Sequence, residues 1–195
     1  MHKPRKPANQ NRLRIIGGEW RGRKITFAST AGLRPTADRV RETLFNWLGP
    51  RVFGSHCLDM YAGSGALGLE ALSRGAAHCD FLDTSAEAVA QLSQTLTLLA
   101  ANDRSTAACK VATTWQTPRH YDLVFIDPPF ADDLLEASLS HLITSDLLAS
   151  DTRIYVEMPR SQDLPNLSDG FETLREKTAG EVRYALLSWQ PSPIS

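Results

Sequence analysis

The fold is decided by one stretch, Leu58-Asp59-Met60-Tyr61-Ala62-Gly63-Ser64-Gly65-Ala66-Leu67-Gly68. An apolar segment ends at Asp59, a glycine turn follows, and a second apolar segment then begins. Gly63 and Gly65 permit positive φ and a close approach of the backbone to a ligand. The stretch predicts a strand, a tight turn and a helix, the arrangement that holds a nucleotide-like cofactor in open α/β sheets.

Outward from this turn, the chain alternates between strands and helices. Predicted strands cover residues 57–60, 80–83, 109–111, 121–126 and 154–158, and predicted helices cover 66–74, 85–101 and 134–143. A further helix follows the candidate cap Thr36, and residues 172–177 and 182–189 form a terminal antiparallel hairpin around Ala179-Gly180. This order predicts an α/β protein with a mostly parallel sheet, whose ligands bind at the carboxyl ends of the strands.

Two acidic residues end predicted strands at that edge. Asp59 ends the first strand and Asp83 ends the second, where a carboxylate can accept hydrogen bonds from ribose hydroxyls. Gly63, Gly65 and Gly68 also match G-x-G-x-x-G, a pattern typical of NAD or FAD sites. S-adenosylmethionine has the same ribose and adenine and binds the same crevice, so the glycines alone leave both cofactors open.

A second motif, Asp127-Pro128-Pro129-Phe130, directly follows the apolar strand 121–126. Two prolines fix the backbone, which holds Asp127 and the Pro128 carbonyl in place, and Phe130 offers a face on which a base can stack. Two acceptors that grip an exocyclic amine can orient its lone pair toward an electrophilic methyl group. This motif favours S-adenosylmethionine and transfer of a methyl group to a nucleobase, by positioning rather than a covalent intermediate.

The net charge of −1 conceals an uneven distribution. Residues 1–41 carry eleven Lys/Arg against two acids, a net +9, whereas the remainder carries ten against twenty, a net −10. Residues 12–27 predict an arginine-rich β-hairpin around Gly17-Gly18. Trp20 could stack on RNA, but we expect it to anchor this hairpin to the body of the protein. This concentration of basic residues near the N-terminus predicts contacts with RNA phosphates, made by Arg14, Arg21, Arg23, Lys24, Arg39 and Arg41.

Composition narrows the class of protein further. The chain of 195 residues is 42% hydrophobic, which suits one folded domain with a sizeable core. Three widely spaced cysteines predict buried hydrophobes rather than disulfides, and we expect no metal site. With neither a signal core nor a long apolar run, the sequence predicts a soluble, cytoplasmic protein without a membrane partner. Glu157, at the end of a strand, is interpreted as a surface acid, and no histidine is given a catalytic role.

Three other functions are consistent with parts of the sequence. The Asp127-Pro128-Pro129-Phe130 motif, which we call the ledge, would also serve an adenine-N6 methyltransferase acting on DNA or RNA. A nucleotide-binding dehydrogenase would use the glycines but leave the ledge and the basic region unexplained. A non-catalytic RNA-binding assembly factor would retain the fold without needing Asp127.

Three further segments favour one of these functions over the others. They are 14–23 (Arg-Ile-Ile-Gly-Gly-Glu-Trp-Arg-Gly-Arg), 32–48 (Gly-Leu-Arg-Pro-Thr-Ala-Asp-Arg-Val-Arg-Glu-Thr-Leu-Phe-Asn-Trp-Leu) and 175–182 (Arg-Glu-Lys-Thr-Ala-Gly-Glu-Val). With the glycine turn and the Asp-Pro-Pro-Phe ledge, they resemble the RsmD family of bacterial 16S rRNA guanine-N2 methyltransferases. The resemblance runs from about Arg14 to Leu187.

The resemblance implies a Rossmann-like class I methyltransferase with a seven-stranded, mostly parallel sheet, a C-terminal antiparallel hairpin and a small N-terminal β-hairpin extension. It divides the chain into a disordered basic tail (1–12), the RNA-binding extension (13–33) and the methyltransferase domain (34–195). It also implies a monomer that uses S-adenosylmethionine to methylate the N2 amine of guanine 966 in 16S rRNA, free or in the assembling 30S subunit.

Carried over by position, the family's motifs assign residues to two groups. The group that contacts the target amine and base is Asp127, Pro128, Pro129 and Phe130. The cofactor-binding group is Arg34, Thr36, Asp59, Tyr61, Ala62, Gly63, Ser64, Gly65, Asp83 and Thr84. The chain departs from the family where Asp83-Thr84 replaces a usual Glu and polar residue, and where Val111-Ala112-Thr113-Thr114 lacks the usual polar contact to adenine, which stays unassigned.

Overall fold

A computed structural model describes residues 10–28, 38–130, 134–165 and 170–191. Its helices are α1 (Asp38–Leu48), α2 (Ala66–Ser73), α3 (Ala86–Leu98) and α4 (Leu135–Thr144). Its strands are β1 (Gln10–Arg14), β2 (Lys24–Ala28), β3 (His56–Asp59), β4 (His78–Asp83), β5 (Ser105–Cys109), β6 (Tyr121–Ile126), β7 (Leu148–Pro159), β8 (Phe171–Ala179) and β9 (Val182–Trp189).

Seven strands form one sheet in the order β5-β4-β3-β6-β7-β9-β8, and β1 pairs with β2 in a separate antiparallel hairpin. The first five strands of that order run parallel, whereas β9 is antiparallel to both β7 and β8. The predicted fold class is therefore confirmed, including the terminal hairpin and the N-terminal β-hairpin. None of the described helices is long and apolar enough to cross a membrane.

The sheet is covered on both faces, which explains why its central strands are apolar without alternation. Side chains from α1, α2 and α3 pack with the β1–β2 hairpin on one face, and side chains from α4 pack on the other. The predicted cap of α3 is confirmed, because the Ala88 amide donates to Ser85 Oγ at 3.2 Å. We call the face that carries α1, α2 and α3 the hairpin face.

Three sequence predictions need correction. The third parallel strand covers Ser105–Cys109 rather than residues 109–111, since this edge strand of small residues is half-exposed and has a weak apolar pattern. Cys57 and Cys79 are buried, but Cys109 is exposed at the end of that edge strand. The predicted disordered tail is also too long, because β1 begins at Gln10; residues 1–9 and 29–33 lie outside the described part of the chain.

Backbone amides of the hairpin donate hydrogen bonds to side chains of α2. The Ile16 and Gly17 amides each donate to the Glu70 carboxylate at 2.8 Å. The Trp20 amide donates to Ser73 Oγ at 3.0 Å, and its indole is buried, which confirms that Trp20 anchors the extension. The β1–β2 hairpin is thus built into the core of the α/β domain and shares its hydrophobic interior.

Gly18 is needed at the closest point of this contact. Its φ is +75°, and a Cβ placed there would lie 1.8 Å from the Ser73 carbonyl oxygen. Backbone cannot move aside as a flexible side chain can, so a methyl group at this position would push the hairpin away from α2. Gly22 has a similar φ of +84° but no atom within 4 Å of its hypothetical Cβ.

We expect Gly18→Ala to lower the free energy of unfolding by at least about 2 kcal/mol, because it combines positive φ with a clash. Gly22→Ala, which has the positive φ alone, should cost about 1 kcal/mol. Urea denaturation of both variants measures the difference. Equal losses in the two variants would show that the close approach to α2 contributes nothing.

Candidate active site

The carboxyl edge of the sheet brings the predicted site residues together. Asp59 pairs in register with Phe81 on one side and with Phe125 on the other. Asp83 and Asp127 lie two residues beyond those partners, so both acids are two residues further out than Asp59 and on the same face of the sheet. Neighbouring parallel strands thus present their carboxylates at one edge of the sheet.

The glycine turn has the conformation that the sequence predicted. Gly63 and Gly65 have φ of +49° and +76°, and Gly65 is the residue from which α2 begins. Gly68 serves a different purpose, because a Cβ there would lie 2.2 Å from the Phe81 ring. The first two glycines shape the turn, and the third allows α2 to pack closely against β4.

Asp83 joins the glycine turn to the end of β4. Its carboxylate accepts hydrogen bonds from the Gly63 amide and the Ser85 amide, at 2.8 and 2.7 Å. These bonds hold the carboxylate beside the turn, at the carboxyl edge of the sheet. Thr84, the next residue, is exposed.

Asp59 is the buried acid of the site. Its carboxylate accepts a hydrogen bond from the Gly68 amide at 3.0 Å. The pKa of Asp59 is raised to about 7, chiefly by burial, with smaller contributions from the charges of Asp127 and Asp83 and against the lowering effect of the Gly68 amide. A carboxyl poised near neutral pH ionises readily when a cation binds beside it.

The remaining residues of the turn support its shape. The Tyr61 hydroxyl lies 2.7 Å from Ser138 Oγ on α4, and the Ala62 amide donates to the Leu82 carbonyl at 2.8 Å. Ser64 is half-buried. Arg34 and Thr36, also predicted to contact the cofactor, lie outside the described residues.

The Asp-Pro-Pro-Phe ledge leaves the sheet directly after β6. Asp127 is half-buried and Pro128 buried, whereas Pro129 is exposed and the Phe130 side chain is 45% exposed. A groove beside Pro128, Pro129 and Phe130 extends to Glu157 and Gln162. A large, exposed aromatic ring next to a groove is suited to stacking on a flat ligand.

Glu157 was wrongly interpreted from the sequence as a surface acid. Its side chain is 4% exposed, and its Oε1 accepts a hydrogen bond from the Tyr155 hydroxyl at 2.7 Å. It directly follows an apolar strand segment, as Asp83 and Asp127 do. That shared pattern is the sequence signal that could have identified it.

Most of the predicted RNA-binding residues are exposed. Arg12, Arg14 and Lys24 alternate with the buried side chains of the hairpin, and Arg14 lies directly opposite Lys24. Like charges opposite each other destabilise a strand pair, so their placement favours an anionic partner. The other exposed cations of the predicted group are Arg21, Arg23 and Arg39.

Arg41 does not fit the prediction that it contacts RNA. Its side chain is 0% exposed, donates to the Arg14 carbonyl at 2.8 Å and to Asp38 at 2.6 Å, and lies 3.6 Å from the Glu70 carboxylate. The guanidinium therefore compensates a buried charge and joins α1 to the hairpin.

Comparison with known proteins gives this geometry a context. The family model described as conserved hypothetical protein 95 matches residues 13–188. The chain is 44% identical over 180 residues to ribosomal RNA small subunit methyltransferase D of Escherichia coli strain K12, covering 92% of this chain and 91% of that protein. It is 41% identical over 191 residues to the protein of that name from Haemophilus influenzae, covering 95% and 98%.

Solved structures agree with the fold. The Escherichia coli protein yhhF superposes with a TM-score of 0.84 at 40% identity, covering 93% of this chain and 100% of that one. The Thermus thermophilus 16S rRNA N2 G1207 methyltransferase RsmC, in complex with AdoMet and guanosine, shares the fold with a TM-score of 0.65 at 22% identity, covering 98% and 53%. The site and the match across nearly its whole length together show that the chain belongs to the conserved hypothetical protein 95 family, that of the RsmD methyltransferases.

Proposed function

We propose that this protein transfers a methyl group from S-adenosylmethionine to the exocyclic N2 amine of a guanine in 16S rRNA. The observation that carries the proposal is the Asp-Pro-Pro-Phe ledge, which lies at the carboxyl end of β6, next in the sheet to the strand that leads into the glycine turn. The family membership and the names of the relatives support the same reaction. Guanine 966 is the proposed target within that RNA.

The residues around the glycine turn fit the cofactor. Gly63 and Gly65 give the turn its positive-φ backbone, and Asp83 is placed to accept hydrogen bonds from ribose hydroxyls. Asp59 supplies a buried carboxyl that a cationic ligand would ionise. Tyr61, Ala62, Ser64 and the exposed Thr84 complete the proposed wall. When bound, S-adenosylmethionine supplies an electrophilic methyl group on a sulfonium centre.

The ledge would hold the amine that accepts the methyl group. In our proposal, Asp127 and the Pro128 carbonyl accept the two N–H bonds of the guanine amine, which directs the nitrogen lone pair toward the cofactor side of the crevice. Pro129 stiffens the ledge, and Phe130 stacks on the base. Fixed acceptors contribute by orientation and electrostatics, without a covalent bond to the enzyme.

The basic hairpin would hold the RNA backbone. Exposed Arg14, Arg21, Arg23, Lys24 and Arg39 are the residues we propose for phosphate contacts, and phosphate contacts position RNA without reading its sequence. The selection of one guanine would then come from the shape of the RNA and from contacts to the base. We propose that the protein acts as a monomer in the cytoplasm on 16S rRNA or on the assembling 30S subunit.

Asp127→Ala should reduce methyl transfer to unmodified small subunits by about 100- to 1000-fold, because it removes one of the acceptors that orient the amine. Labelled S-adenosylmethionine and nucleoside analysis of the product measure the rate, and mapping of the modified nucleotide tests position 966. The variant should bind the cofactor nearly as well as the wild type.

Asp103→Ala, which changes an exposed aspartate outside the site, is the matched control and should retain full activity. Product analysis separates the alternatives: N6-methyladenosine would indicate an adenine enzyme. Cofactor binding without any transfer to free 16S rRNA or small subunits would contradict the proposed function.

The raised pKa of Asp59 predicts that the affinity for the cofactor depends on pH. Because the free protein's Asp59 has a pKa of about 7, a bound cation would lower that pKa and release a proton. The affinity for S-adenosylmethionine should therefore rise by up to about tenfold per pH unit as pH increases toward 7, and level off above it. Asp59→Asn should flatten this dependence. Calorimetry at pH 6 and 8 compares the two proteins, and identical slopes would contradict a role for Asp59 beside the cofactor.

Replacing both Arg14 and Lys24 with alanine should weaken binding to 16S rRNA and decrease the slope of log affinity against log salt by about 1 to 2, because two phosphate contacts are lost. Filter binding at several salt concentrations measures the slope. Arg51→Ala, which changes an exposed cation paired with Asp151 at 2.6 Å, serves as the control and should leave the slope unchanged. An unchanged slope in the double variant would remove the hairpin from the RNA interface.

A further inference from the structure

Glu157 is a buried acid near the carboxyl end of β7, two residues before the strand ends at Pro159. In register, Ile126 of β6 lies beside Val156 of β7. The next residue on each strand is an acid, Asp127 on β6 and Glu157 on β7. Adjacent strands lie about 4.8 Å apart, so the two residues stand side by side at the same level of the carboxyl edge.

The two acids also share a face. Side chains alternate along a strand, which places Asp127 with Phe125, and Glu157 with Tyr155, on the hairpin face of the sheet. The Tyr155 hydroxyl is in hydrogen-bond contact with the Glu157 carboxylate. Burial raises the pKa of Tyr155, and the charges of Glu157 and Asp127 raise it further. Glu157 also lines the groove that contains Pro128 and Phe130.

Tyr155 fixes the direction of the Glu157 carboxylate. Its hydroxyl donates to Oε1 at 2.7 Å, and its ring is buried on the hairpin face, near Tyr184 at 6.2 Å between centroids. Burial of charge is unfavourable, so a buried carboxylate needs donors around it. A buried acid that also lines a groove, as Glu157 does, is a candidate binding group.

The chemistry of the purine edges gives this carboxylate a function. Guanine presents two kinds of donor side by side on its Watson–Crick edge, the N1–H and the N2 amine. Adenine presents an amine beside an unprotonated N1, which can only accept. An ionised carboxylate only accepts hydrogen bonds, so a second carboxylate next to Asp127 matches guanine and opposes adenine.

We propose that Glu157 is the residue that determines specificity for guanine: it accepts the N1–H of the target base while Asp127 and Pro128 hold its N2 amine. The inference rests on the proposed function, because it assumes that the base held at the ledge is the one that is methylated. In this proposal, Asp127 and Glu157 on neighbouring strands determine which base is methylated, whereas the hairpin contacts only phosphates.

The test uses reconstituted small subunits that carry either guanine or 2-aminopurine at the mapped target position. 2-Aminopurine keeps the amine but has an unprotonated N1 and no O6. Wild-type protein should methylate guanine with a kcat/KM about 10- to 100-fold higher, the effect of one hydrogen bond to a charged group. Glu157→Gln should lose about 10- to 100-fold on guanine, and its discrimination should fall to within about threefold, because an amide can also donate to N1.

The controls separate folding from recognition. Glu172→Gln, which changes an exposed acid on the edge strand β8, should keep both the rate and the discrimination of the wild type. Melting temperature and S-adenosylmethionine affinity show whether Glu157→Gln is folded. If it does not fold, equal rates of the wild type on guanine and 2-aminopurine would still overturn the proposal.

Two outcomes would overturn the proposal. One is wild-type protein that methylates guanine and 2-aminopurine equally well. The other is a folded Glu157→Gln variant that keeps the discrimination of the wild type. In both cases methylation of guanine persists and the proposed function stands, whereas wild-type protein that modifies neither base would refute the proposed function itself.

Discussion

The carboxylate of Glu70 is the constraint on which much of the structure depends. It is fully buried on α2, and it accepts the Ile16 and Gly17 amides and Arg74 Nε, each at 2.8 Å, with Arg41 Nη1 3.6 Å away. A buried charge is tolerated only when it is surrounded by donors and countercharges. Glu70 therefore requires the hairpin, α1 and α2 to be present together, and none of the three is complete without the others.

Carboxylates are also the main feature of the carboxyl edge of the sheet. Asp59, Asp83, Asp127 and Glu157 lie at or near the carboxyl ends of four adjacent strands, and register rather than sequence proximity brings them together. Their environments differ: Asp83 is held by two backbone amides, Asp59 is buried with a pKa of about 7, and Glu157 is oriented by Tyr155. Acids of one chemical type can therefore have separate tasks along a single crevice.

The elements with strong local signals could be predicted from the sequence. The glycine turn, the strand Tyr121–Ile126 and the cap at Ser85 each depend on neighbouring residues, and the structure has them where the sequence placed them. The edge strand β5 was misplaced because small, half-exposed residues carry no clear periodicity.

The errors at Arg41 and Glu157 have a different cause. The environment of Arg41 depends on Glu70, 29 positions away, and that of Glu157 on strands that meet only in the folded sheet. A single charged residue has no local pattern that distinguishes a buried ion pair from a solvated surface group. Prediction of those two residues requires the three-dimensional pairing, whereas the ledge Asp127-Pro128-Pro129-Phe130 could be identified from composition and position alone.

The length of α2 has a consequence for how RNA must approach. The helix begins at the glycine turn and reaches Ser73, which holds the hairpin, eight residues later, a rise of about 12 Å. The distance between the glycine turn and the basic hairpin is thus set by two turns of a buried helix. Under the proposed function, an RNA held by the hairpin has to turn the target nucleotide out of its own structure to reach the carboxyl edge of the sheet.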